Sequence, residues 1–197
     1  MKKDSFKEIK SIGLTIISSI VLVSIINTKV FAMAKVQQSS VENTLHSGEK
    51  LFIDKLSYSF TEPKRGDIII FLKDEEKGNL IKESYNCFKE IISLNNINDT
   101  RVRYVKRVIG IPGDEINIEQ GNVYINGEKL NEEYIKGETY EREVSFPLKV
   151  GEGEIFVLGD NREGSKDSRD FGTIKIEQVE GRANFRVFPL DKIENLK

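Results

Sequence analysis

A lysine inside an apolar strand, and a charged loop able to hold a hydroxyl in place, are the features of this chain that bear most on covalent chemistry. The loop runs from Gly159 to Arg169 and reads Gly-Asp-Asn-Arg-Glu-Gly-Ser-Lys-Asp-Ser-Arg. It follows Ile155-Phe156-Val157-Leu158, an apolar run of strand length. Carboxylates and guanidiniums this close in sequence can pair and hold a hydroxyl in place. A serine nucleophile also needs a base. A lysine serves if it is neutral, which means lowering its pKa from about 10.4 toward about 7–8 at a cost of roughly 4 kcal/mol. Burial supplies such a shift. Lys106 is the candidate, within Tyr104-Val105-Lys106-Arg107-Val108-Ile109. Strand alternation puts Tyr104, Lys106 and Val108 on one face and Arg107 on the other.

Composition narrows the alternatives. The chain has 197 residues and a formal net charge of -2, which suits one domain with an appendage and gives no basic excess for nucleic acid. Cys87 and His46 are the single cysteine and the single histidine, so no internal disulfide is possible and the count argues against a zinc site. A histidine-based triad would have to use His46, which sits in a loop-like stretch.

At the N-terminus, Lys2, Lys3, Lys7 and Lys10 precede an apolar stretch from Ile12 to Ile26, and Val30 to Val36 adds further apolar length beyond Asn27, Thr28 and Lys29. The uninterrupted part is short for a span of about 20 residues. The lysines favour a cytoplasmic N-terminus. A second reading stands beside this one: Ala32-Met33-Ala34 has the form of a secretory cleavage site.

Beyond residue 36 the pattern is strand-like. Leu51-Phe52-Ile53, Ile68 to Phe71, Arg103 to Ile109 and Phe185 to Phe188 read as strands. Ile116, Ile118, Val123 and Ile125 alternate with polar residues around Gly121, predicting a hairpin, with a further turn at Asn126-Gly127. Leu80, Ile81, Tyr85, Phe88, Ile91 and Ile92 recur at helical spacing and predict an amphipathic helix inserted among the strands. The expected organisation is an N-terminal anchor over 1–36 and a mainly β domain over 37–197, with the insert at about 73–102.

Four segments, in order, resemble the type I signal peptidases, membrane-bound Ser/Lys proteases. Ser40-Val41-Glu42-Asn43-Thr44-Leu45 resembles their nucleophile box, usually Ser-Met-x-Pro-Thr-Leu. Arg65-Gly66-Asp67 with the following Ile68 to Phe71 resembles the second box. Tyr104 to Asp114 resembles the lysine box, and Gly159 to Arg169 the last. The resemblance implies a mainly antiparallel β catalytic domain behind a transmembrane helix, with an apolar surface on the membrane. Ser40 would be the nucleophile and Lys106 the general base. Ser165 would orient the lysine amine, Asp160 would pair with Arg107, and Asp167 with Arg169. Val41 and Tyr104 are substrate-pocket candidates. No metal or cofactor is implied. The expected partners are signal peptides of secretory preproteins and the lipid bilayer, with no nucleic acid. The catalytic domain is expected outside the cell membrane on a single-pass anchor. The family keeps its N-terminal span, which favours the uncleaved anchor.

The nucleophile box departs from the pattern. Val41 replaces the usual Met, and Asn43 replaces the usual Pro, so the loop loses a fixed φ. Ser39 adjoins Ser40, so the assignment of Ser40 rests on its spacing to Thr44-Leu45. These departures point to a restricted substrate set. The alternative is a non-catalytic assembly factor for secreted or pilus (pilin) subunits. Retention of both Ser40 and Lys106 favours the enzyme.

Overall fold

The computed structural model describes residues 2–35, 48–73 and 103–196. Ser39, Ser40, Val41, Asn43 and His46 lie outside the described residues, as do Cys87 and the amphipathic helix expected between Gly78 and Asn95. The chain divides into two compact units. One comprises residues 1–32 and 78–100; the other comprises 33–77 and 101–197.

In the first unit the N-terminal helix runs Lys2–Lys29. Its large apolar side chains, among them Ile9, Ile12, Leu14, Ile17 and Leu22, are exposed. Among the described residues, no helix is long and apolar enough to cross a membrane. Along this helix the hydroxyls of Thr15, Ser18 and Ser19 bond back to carbonyls a turn earlier.

The β domain is built from β1 (Phe31–Lys35), β2 (Lys50–Asp54), β3 (Ile68–Leu72), β4 (Arg103–Gly110), β5 (Glu115–Glu119), β6 (Asn122–Ile125), β7 (Glu128–Lys129), β8 (Leu148–Lys149), β9 (Glu154–Leu158), β10 (Ile174–Lys175), β11 (Val179–Phe188) and β12 (Glu194–Asn195). The larger sheet has the order β1-β2-β11-β3-β4-β9-β10, with β12 on β11, and the smaller the order β7-β6-β5-β8. The pairings β2/β11, β11/β3, β3/β4, β4/β9 and β9/β10 are antiparallel.

The central strands β3 and β9 read as near-continuous apolar runs because both of their faces are covered, and between them β4 carries Lys106 and Arg107 into the same buried layer. Ile69, Phe71, Val108 and Val157 pack into one core, and Ile109, Phe156 and Leu158 pack with Ile116, Val123 and Ile125 of the small sheet into another. The hairpin expected around Gly121 is β5/β6, and Asn126-Gly127 turns β6 into β7. Asn126 and Gly127 both have positive φ (53° and 84°), the backbone of a two-residue hairpin loop that matches strand twist.

Two local differences from the sequence reading have physical causes. The late strand is longer than Phe185 to Phe188, because β11 alternates Val179, Gly181 and Ala183 with polar residues. Within it, Phe185 and Phe188 point outward while Arg186 is buried. Arg186 is held there by Glu49 at 3.0 Å and by Glu194.

Gly110 closes β4 where the two sheets meet. A Cβ there would lie 2.8 Å from Ile116 Cδ1 and 3.1 Å from both Phe156 Cβ and Val150 Cγ2. Gly110→Ala is therefore expected to destabilise the domain by about 1–3 kcal/mol through overpacking. Urea unfolding checks this; an unchanged midpoint would show that the packed side chains give way freely.

Candidate active site

Lys106 occupies the middle of β4, opposite Ile69 of β3, in the interior of the larger sheet. It is 1% exposed. The aliphatic stem suits that place, but the amine does not. Burial lowers its pKa to about 8, against the pull of the Asp167 and Asp160 carboxylates, which favour the charged form. Arg169 adds to the lowering and Asp170 opposes it. Among the described residues the amine makes no hydrogen bond or ion pair. The amine lies 5.6 Å from the centroid of the Tyr104 ring. That ring stacks on Phe71 at 5.8 Å and meets Phe171 edge-on at 6.3 Å, giving a stiff aromatic wall.

The Gly159–Arg169 loop leaves β9 where Leu158 pairs with Arg107, one residue from Lys106. Asp160 meets Arg107 in a fork, with Nε donating to Oδ1 at 2.9 Å and Nη2 to Oδ2 at 2.7 Å. Arg107 also donates to the Gly66 carbonyl at 3.0 Å and lies 4.0 Å over the Tyr134 ring. Farther along, Arg169 donates to Asp167 through Nε and Nη2, at 2.8 and 2.9 Å. Asp167 also accepts from the Gly159 backbone N–H at 3.1 Å, which closes the loop on itself.

Asp167 has a further task. It caps the short helix Ser168–Phe171, and Asp170 reaches back to the Asp167 N–H, completing a capping box. Burial pushes the Asp167 carboxyl up, but the Arg169 guanidinium and the backbone donor outweigh it and hold it below the usual carboxylate range. Ser168 Oγ accepts from the Val157 N–H at 3.0 Å, tying the helix to β9.

Between these anchors sits Ser165, 1% exposed, with its Oγ buried; no hydrogen bond of good geometry reaches it among the described residues, though its hydroxyl is near enough to the Asp167 carboxylate to help hold that group charged. A buried hydroxyl left unpaired is costly. The structure thus brings Lys106, Arg107, Asp160, Asp167 and Arg169 into one neighbourhood with the loop that carries Ser165. Among the described residues it leaves the lysine amine without a hydrogen bond or ion pair and the serine hydroxyl with only the nearby Asp167 carboxylate.

Four residues that sequence reasoning missed complete the surroundings: Glu132, Tyr134, Arg142 and Arg162. Arg162 is fully buried and pairs with Glu132, with Nη1 donating to Oε2 at 3.0 Å. Tyr134 donates to Glu132 Oε1 at 2.9 Å. The only sequence signal was Arg162 itself, a charge inside a loop already rich in charge. Its partner lies thirty residues upstream.

A family model described as signal peptidase, peptidase S26, matches residues 9–188. A signal peptidase I from Bacillus licheniformis is 36% identical over 202 residues, covering 98% of this chain and 94% of the relative. A probable signal peptidase I-2 from a Synechocystis species is 34% identical over 183 residues, covering 92% of this chain and 74% of the relative. A crystal structure of a signal peptidase I from Enterococcus faecalis V583 shares 34% identity, with a TM-score of 0.42, and covers 62% of this chain and 97% of that one. With a match spanning the helix, the β domain and the buried lysine alike, the chain belongs to the signal peptidase family, peptidase S26.

Proposed function

We propose that Ser40 and Lys106 carry out the signal-peptide hydrolysis that membership of this family gives the chain. The supporting observation is Lys106: a lysine buried in the sheet, with its pKa lowered to about 8 and no partner for its amine among the described residues. A structural lysine would be expected to find a carboxylate or to reach water. In the proposed reaction neutral Lys106 takes the proton of Ser40 Oγ as that oxygen attacks the scissile carbonyl carbon. The backbone N–H of Ser40 helps hold the oxyanion. Lys106 then passes the proton to the departing amine, and the mature protein leaves. A water gives a proton to Lys106 and attacks the acyl ester, and Lys106 returns that proton to the departing Ser40 Oγ, which restores both groups and releases the signal peptide. Ser165 Oγ orients the amine. Tyr104, stiffened by Phe71 and Phe171, forms one wall of the substrate pocket, and Val41 narrows another part.

The same reading makes the Lys2–Lys29 helix the membrane anchor, with the catalytic domain outside the cell. Its support is the set of exposed apolar side chains around the helix and the lysines at its start. The bilayer is then a partner. The relatives are named as peptidases, and nothing favours the pilin-assembly alternative.

The pH dependence tests the base. Lys106 must be neutral to act, so kcat/KM on a preprotein substrate should rise about tenfold per pH unit below about 8 and level off above it. At pH 7 roughly one molecule in ten would be competent. The profile measured from pH 6 to 10 in detergent checks this. A rate that stays flat across that range would remove Lys106 as the base.

A further inference from the structure

We propose that the segment from Glu132 to Val144 is a brace that sets the position of the catalytic loop, and that Arg142 is its principal positioning residue. This rests on the Ser/Lys reading above.

The segment has almost no regular structure of its own, yet it bonds to the loop along its length. Near its start Glu132 pairs with Arg162. Lys136 forms a parallel bridge with Asn161: the Lys136 N–H donates to the Asp160 carbonyl at 2.8 Å, and the Arg162 N–H donates to the Lys136 carbonyl at 2.9 Å. At its end the N–H groups of Glu143 and Val144 both donate to the Arg169 carbonyl, at 3.1 and 3.0 Å. The brace therefore holds the loop beside Asp160 and again at Arg169, on either side of Ser165 along the chain.

Arg142 fills the interval. Its Nη1 donates to the Ser165 carbonyl and to Asp170 Oδ2, the latter at 3.1 Å. Its Nη2 donates to the carbonyls of Arg162 and Glu163 at 2.9 and 3.1 Å. One planar guanidinium thus spans three loop carbonyls and a carboxylate, a task for which the fork geometry of arginine is suited and the point charge of lysine is not. The Ser165 carbonyl belongs to the residue whose hydroxyl orients Lys106. Asp170 is one of four charged groups that act on the lysine, with Asp167, Asp160 and Arg169. Arg142 therefore bears on both the geometry and the charge around the base without touching substrate.

The test compares the wild type with Arg142→Ala, Arg142→Lys, Lys106→Ala and, as a surface control, Glu141→Gln, all full-length in detergent with a preprotein substrate. Arg142 is partly exposed, so the fold should survive its loss, and a thermal melt under assay conditions confirms that each variant is folded. The brace predicts a kcat about tenfold or more lower in Arg142→Ala with KM within about twofold, since a misplaced group costs rate rather than binding. It also predicts that the acid limb of the pH profile moves upward, because Asp170 loses its counter-charge, and that Arg142→Lys recovers the pH profile better than it recovers kcat. A folded Arg142→Ala with wild-type kcat and an unmoved profile, alongside an inactive Lys106→Ala, overturns the brace alone. An active Lys106→Ala overturns the Ser/Lys reading and the brace with it.

Discussion

Lys106→Met will give a protein that is more stable at pH 7 than the wild type and that no longer cleaves preproteins. Both effects follow from one burial. Lys106 has a pKa of about 8 in the folded chain and an ordinary value of 10.5 when unfolded. Below pH 8 the amine is charged in both states, and the folded state bears a desolvation cost of about 3 kcal/mol. The cost falls as pH rises from about 8 toward 10.5, because the folded state sheds its proton first. Methionine fills similar volume with no charge, so the variant should gain up to about 3 kcal/mol near neutrality and lose the upward slope of stability across that window. Cleavage should fall by about a thousandfold or more, the scale seen when a nucleophile loses its base. Urea unfolding at pH 7 and pH 10, with a cleavage assay on the same samples, measures both. A variant that is less stable, or that still cuts, contradicts the assignment.

Asp160→Ala will cost the domain about 3–5 kcal/mol of stability. Removing this carboxylate strands Arg107, which is buried and, among the described residues, keeps the Gly66 carbonyl and the face of Tyr134. Stripping one partner from a buried pair costs about 3–5 kcal/mol, far more than the net worth of the pair. The double variant Asp160→Ala with Arg107→Met should recover much of that loss, since no orphaned charge remains. Denaturant midpoints of the two single variants and the double variant form the cycle. A cost below about 1 kcal/mol for Asp160→Ala would mean that water reaches Arg107.

Much of the β domain was legible in the sequence because its central strands announce themselves. Ile68 to Phe71 and Ile155 to Leu158 are apolar on both faces, Val105, Val108 and Ile109 mark the strand between them, and the Asn126-Gly127 turn has the residue types its backbone demands. The lysine stood out because a charge within such a run needs a reason. Other features left no local mark. Exposed Phe185 and Phe188 mimic a buried strand, while the buried position goes to Arg186, whose partner Glu49 is more than a hundred residues away. Glu132, Tyr134 and Arg142 sit in a segment without periodicity, and their significance appears only when the chain folds them against a loop 20 or more residues downstream. The nucleophile box rests on motif spacing, since Ser40 lies outside the described residues.

Cleavage of a secretory preprotein by the full chain in liposomes, set beside Ser40→Ala, Ser39→Ala and Lys106→Ala, tests the central claim most directly. The expected result is a cut after a small residue that survives Ser39→Ala and disappears in both Ser40→Ala and Lys106→Ala. Cleavage that persists in Ser40→Ala or Lys106→Ala would contradict it.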